Sequence, residues 1–209
     1  MAWGQQEAWA PGAVRAAGSF ETDVEKYLLV GALAVAAAGA AQDVRGGRIP
    51  NLLTYSGLLA ALIVRSLLLG WPGLKSGLIG LVAAGGVFYI LFLVGGMGGG
   101  DVKLMAAVGA WAGSNEILVP PLAKVPATVA VLIATALAGG LLALIYMLFH
   151  GRVRSTLVNT LELIRHHLRS GLEPHPELNI REQGTVRVPY GVAIAAGTLY
   201  CLGQVFVGR

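Results

Sequence analysis

A chain of 209 residues that is 56% hydrophobic and only 12% charged, with a mean hydropathy of +0.70, is not composed like a soluble domain. It reads as a single all-α, polytopic membrane protein. The net charge of +4 fits loops that set membrane orientation, not a nucleic-acid surface. One cysteine, Cys201 in an apolar stretch, excludes an internal disulfide and any CxxC metal or redox site.

In chain order, residues 1–25 form an N-terminal tail. It has no basic region ahead of an early apolar core and carries Glu7, Glu21, Asp23 and Glu25, so it does not resemble a signal peptide. Trp3 and Trp9 suit a membrane interface. Residues 26–209 form the membrane domain, with six expected segments at about 27–41, 51–69, 74–94, 102–113, 126–149 and 189–207. The fourth is short against the ~20 residues that a full span needs. Small residues recur at packing distance in Gly73 and Gly77, Gly191 and Ala195, and Ala193 and Gly197.

The loops after the first, third and fifth segments carry Arg45, Arg48, Lys103, Arg152, Arg154, Arg165, Arg169, Arg181 and Arg187. The other side has Arg15, Lys26, Arg65, Lys75, Lys124 and Arg209. The larger set predicts those three loops on the cytoplasmic side and both termini outside. The long polar insertion, 150–188, places Leu157, Leu161, Ile164 and Leu168 at helical spacing among basic residues, as in an amphipathic helix lying on the bilayer. His166 and His167 are adjacent, so on a helix they point apart, and no carboxylate or cysteine cluster joins them; no metal is expected.

The chemistry concentrates in two stretches. Gly95-Gly96-Met97-Gly98-Gly99-Gly100-Asp101-Val102-Lys103 lies between apolar runs, with Asp101 at the cap or first turn of the following helix. Asp43-Val44-Arg45-Gly46-Gly47-Arg48-Ile49-Pro50-Asn51 follows the first segment, with Pro50 in the turn and Asn51 as the cap of the next helix. Asp43 closes a helix, where the macrodipole disfavours negative charge. Locally it is either the solvated partner of Arg45 or Arg48, or a group kept for function. The predicted topology puts both aspartates on one membrane face at similar depth, and two such carboxylates can hold and activate a water, one as base and one as acid.

The sequence Gly98-Gly99-Gly100-Asp101 matches the GxGD motif. Together with Val102-Lys103-Leu104, with Asp43…Arg45…Ile49-Pro50-Asn51, and with Val188-Pro189-Tyr190-Gly191-Val192-Ala193, it makes the chain resemble the type IV prepilin peptidases over about residues 27–207. Within them it looks most like the small branch that serves tight-adherence (Flp) pili. The resemblance implies that Asp43 and Asp101 form the catalytic pair. Gly98, Gly100, Asn51, Lys103, Pro189 and Gly191 are then supporting or substrate-contacting residues. It also implies prepilin or pseudopilin substrates, no cofactor, and a place in the bacterial cytoplasmic membrane with the site facing the cytoplasm. Larger members of the family carry a cysteine-rich insertion and also N-methylate the new terminus. This chain has no such insertion, so that second activity is not expected.

Two other classes compete. A small proton-coupled transporter wants charges near the midplane and inverted repeats, and both aspartates lie instead at segment ends. A non-catalytic assembly subunit of a pilus or secretion system is separated only by activity. Helix-end electrostatics further predict Asp101, at a helix start, as the base, and Asp43, at a helix end, as the acid.

Overall fold

The computed structural model describes residues 11–118, 124–149 and 189–207. The expected amphipathic helix and the rest of the 150–188 insertion lie outside them, as do residues 1–10. Five helices make up nearly all of the described chain: α1 (Pro11–Gly46), α2 (Asn51–Leu93), α3 (Gly99–Ala112), α4 (Ala127–Phe149) and α5 (Tyr190–Val207). Between α3 and α4 a ribbon pairs β1 (Glu116–Leu118) antiparallel with β2 (Lys124–Pro126).

The helices show why the composition was so apolar. The largest exposed side chains are Leu, Ile, Val, Phe, Tyr and Trp, among them Leu52, Leu67, Val82 and Phe149. The buried positions are dominated by small residues such as Ala32, Ala36, Ala61, Ala84, Ala107 and Ala110. A soluble fold reverses this pattern; a membrane bundle gains little from burying leucine and packs through small residues. Among the described residues, four helical stretches are long and apolar enough to cross a bilayer: Asp23–Gly46 of α1, and all of α2, α4 and α5. The protein is an all-helical, polytopic membrane protein.

α2 has 43 residues. Straight, it would run about 65 Å, more than twice a bilayer core. It is instead broken at Gly70, whose φ of 63° is the left-handed backbone glycine tolerates, with Pro72 just beyond. The two arms fold back on each other: a Cβ on Gly77 would lie 2.9 Å from Arg65 Cδ and 3.2 Å from Leu62 Cδ2. These arms match the expected segments 51–69 and 74–94. α1, by contrast, starts at Pro11, well before the expected Tyr27. Proline suits a first helical turn because its missing N–H has no partner there anyway.

Close helix–helix contacts assemble the bundle. The second arm of α2 crosses α3 so closely that Gly80 and Gly109 each abut the other's carbonyl oxygen, leaving no room for a side chain at either. α4 and α5 meet where a Cβ on Gly197 would strike the Thr135 backbone at 2.5 Å, and one on Gly139 would touch Tyr190 and Ala193. α1 and α3 meet at two points, with Gly31 under the Trp111 ring and Gly39 against the Leu104 side chain. Cys201 is fully buried in the apolar core, as a small hydrophobe.

Candidate active site

The α1–α3 contact fixes where the two aspartates fall. α1 runs toward one end of the bundle and α3 runs away from it. Asp43 lies four residues beyond Gly39 and Asp101 three residues before Leu104. At about 1.5 Å per residue, both sit roughly one helical turn past the same contact, in the same direction. The start of α5 reaches both. The Gly191 N–H donates to Asp43 Oδ2 at 3.1 Å, and the Tyr190 phenol lies within coulombic range of the Asp101 carboxylate.

Position 191 is tight: a Cβ there would lie 3.1 Å from Ala40 Cα and 3.2 Å from both Asp43 Cβ and Oδ2. Pro189 precedes the helix and its carbonyl accepts the Val192 N–H. This orients the first turn of α5 so that the Gly191 N–H, which has no partner within its own helix, faces the carboxylate. Gly98 is the N-cap of α3, and a Cβ on it would come within 3.0 Å of Asp101 Oδ2. A Cβ on Gly100 would lie 3.3 Å from Ile49 Cβ, so the start of α3 packs closely on the loop after α1. Lys103 Nζ donates to Asn51 Oδ1 at 2.9 Å and lies 5.5 Å from the centre of the Tyr55 ring. All eight residues singled out from the sequence therefore stand where α1 ends and α2, α3 and α5 begin.

Three local expectations need correction. Asn51 is not a cap: Pro50 holds the N-cap position with no side-chain bond, and the Asn51 amide faces Lys103 instead. Asp43 pairs with neither Arg45 nor Arg48; both arginines are exposed, and the described ion pairs are Lys26–Asp23 and Arg65–Glu25. Asp43 also does not meet only the carbonyl end of its own helix. The N-terminal amide of α5 is its hydrogen-bond donor, so Asp43 meets a helix N-terminus as well as the carbonyl end of α1. In the sequence Tyr190 is only part of a motif; its nearness to Asp101 depends on α5 packing against helices far earlier in the chain, which no local pattern discloses.

At the opposite end of the bundle, the sequence reading missed a second polar centre. Arg65, counted there as a loop-side charge, is wholly buried and pairs with Glu25.

The chain is a polytopic membrane protein with two carboxylates at one end of its helical bundle and backbone amides and glycines close by. The model of the type IV leader peptidase family matches residues 28–148, and the chain belongs to that family. No curated protein and no solved structure matches it. The matched region holds Asp43, Asp101, Asn51 and Lys103 but stops short of α5, so Tyr190 and Gly191 join the site through the fold alone.

Proposed function

We propose that the chain is an aspartic endopeptidase that removes the leader peptide of type IV-like prepilins, of the tight-adherence (Flp) kind, at the cytoplasmic face of a bacterial cytoplasmic membrane. Membership of a leader peptidase family supports leader cleavage in general. The observation that carries the aspartic reading is the placement of Asp43 and Asp101 about one turn beyond the shared Gly39–Leu104 contact.

In this reading a water lies between the two carboxyl groups, one ionised and one protonated. The ionised carboxylate takes a proton from the water as its oxygen attacks the scissile carbonyl carbon. The protonated one donates to the carbonyl oxygen, giving a neutral tetrahedral diol. Collapse of the diol breaks the C–N bond, and a proton passes to the departing amine, which becomes the new pilin terminus. The Gly191 N–H holds Asp43 in place, and the glycines from Gly98 to Gly100 let an extended peptide backbone approach Asp101.

The basic residues support the orientation. Arg45, Arg48 and Lys103 all lie at the aspartate end. Arg65, removed from the opposite tally by its burial and ion pair, leaves that side poorer in free positive charge than the sequence count implied. Lys103, presented beside Asn51 and Tyr55, is placed to meet an acidic residue of the substrate near the scissile bond.

The test is co-expression with a candidate prepilin, scoring leader removal by a gel shift. Asp43→Asn and Asp101→Asn should each abolish the shift while the protein still accumulates in the membrane. Normal processing by either variant would sink the proposal.

A further inference from the structure

The buried Arg65 has no part in the chemistry above, yet it is the most heavily bonded side chain among the described residues. Its guanidinium makes five hydrogen bonds: to Glu25 Oε1 and Oε2 at 3.2 and 2.7 Å, to the Trp111 and Ala112 carbonyl oxygens at 3.3 and 2.9 Å, and to Ser76 Oγ at 3.4 Å. Asn115 adds a short bond to Glu25 through its amide nitrogen and accepts from Ser76 Oγ at 3.0 Å through its oxygen. Ser76 Oγ in turn accepts the Ser114 N–H at 2.8 Å. Four segments meet here: α1, both arms of α2, and the end of α3.

Two of these contacts matter together. Glu25 is on α1, the helix that carries Asp43; Trp111 and Ala112 end α3, the helix that Asp101 opens. Arg65 grips both at once, at the end of the bundle opposite to the aspartates. Along the helices, α1 and α3 also meet at Gly31 on the Trp111 ring and at Gly39 on the Leu104 side chain. Apolar packing of this kind is not directional and resists sliding weakly. The guanidinium fork is directional. Sliding α1 past α3 by one turn, about 5.4 Å, would part Arg65 from Glu25 or from the α3 carbonyls, stranding a charge out of water. Capping also suits α3, since a cation at its carbonyl end complements the macrodipole and satisfies orphan acceptors.

We propose that the Glu25–Arg65 clamp is a positioning device that sets the longitudinal register of α1 against α3, and so the level of Asp43 against Asp101. It rests on the aspartate-pair reading given above. Glu25 and Arg65 touch no substrate; they act through two helices on carboxylates at the far end.

The experiment uses the full chain reconstituted in lipid vesicles with a purified prepilin-type substrate. Glu25→Gln keeps the size of the side chain but removes the carboxylate charge, and Arg65→Lys keeps the cation but replaces the planar fork with a single nitrogen. Each should lower kcat by roughly tenfold to a hundredfold, the scale of an ångström-sized misplacement, with KM within about twofold. Glu25→Gln leaves the carbonyl bonds of Arg65 in place and serves if Arg65→Lys fails to accumulate. A covalent tether then isolates register from general stability. With Cys201→Ser as background, Gly39→Cys and Leu104→Cys form a disulfide pair across the α1–α3 contact, where a Cβ on Gly39 lies 3.2 Å from Leu104 Cγ. Oxidation should bring the Arg65→Lys chain to within about threefold of the tethered chain that keeps Arg65, and reduction should undo this. Unchanged kcat in both variants, or a formed disulfide that leaves Arg65→Lys as slow as before, would overturn the clamp. Asp43→Asn and Asp101→Asn run alongside: retained cleavage in either refutes the aspartate pair itself, whereas inactive aspartate variants beside fully active clamp variants refute only the clamp.

Discussion

At one end of the bundle, Asp43 and Asp101 sit half-buried among glycines, next to backbone amides that open α3 and α5. At the other end, Arg65 is fully buried and bonded to a carboxylate, two carbonyls and a hydroxyl. Both ends hold ionisable groups that a membrane protein keeps at a cost. They differ in what surrounds the charge. The Arg65 end supplies a matched partner for each N–H, which makes it rigid and closed. The aspartate end supplies small residues and backbone amides, and both carboxylates stay partly exposed. The difference teaches how a bundle with few large core residues divides its charges: in the proposed reading, one end fixes the helices and the other receives the substrate.

The comparison breaks most visibly if the closed end is opened. Arg65→Ala leaves Glu25 without its cation and the last carbonyls of α3 without a donor. Losing one partner of a buried pair should cost about 3 kcal/mol or more, seen as a lower thermal midpoint in detergent and reduced accumulation in the membrane. Full stability would show that the clamp contributes little. At the open end, Gly191→Ala pushes a methyl against Ala40 and Asp43 and displaces the amide that holds the carboxylate. Cleavage should fall about tenfold to a hundredfold with little change in stability; unaltered kinetics would detach α5 from the site. The smallest effect belongs to Lys103→Gln. It removes one half-exposed charge, and the loss should be a few-fold, since such pairs are worth about 1 kcal/mol or less. The loss should be larger for a substrate with its acidic residue than for one in which that residue is neutralised. Equal losses on both would leave Lys103 with only its bond to Asn51.

The two ends also differ in how much of them can be read from the chain. Asp43 and Asp101 stand out because each interrupts the edge of an apolar run inside a recognisable local pattern. The hairpin in α2 is legible for a similar reason: Gly70-Trp71-Pro72 breaks a helix wherever it falls. Arg65 is not legible. Locally it is one arginine in a run of leucines, and its Glu25, Trp111 and Ala112 partners lie 40 to 47 residues away on other elements, so it passes for an orientation signal. The β1–β2 ribbon escapes because three residues per strand carry no usable periodicity. Asp43 shows the same limit within a residue that the sequence singles out. Its own helix end was visible, but the Gly191 amide that faces it comes from a helix 148 positions later.

The central claim is that Asp43 and Asp101 act as one catalytic unit. Single-turnover cleavage of a prepilin by the native chain, Asp43→Asn, Asp101→Asn and the double variant tests it most directly. The account predicts a loss of roughly a thousandfold or more in each single variant, and a double variant no slower than the worse single one, because groups that work as a unit are lost together. Losses that multiply in the double variant, or a single variant that still cleaves within about tenfold of the native rate, would contradict it.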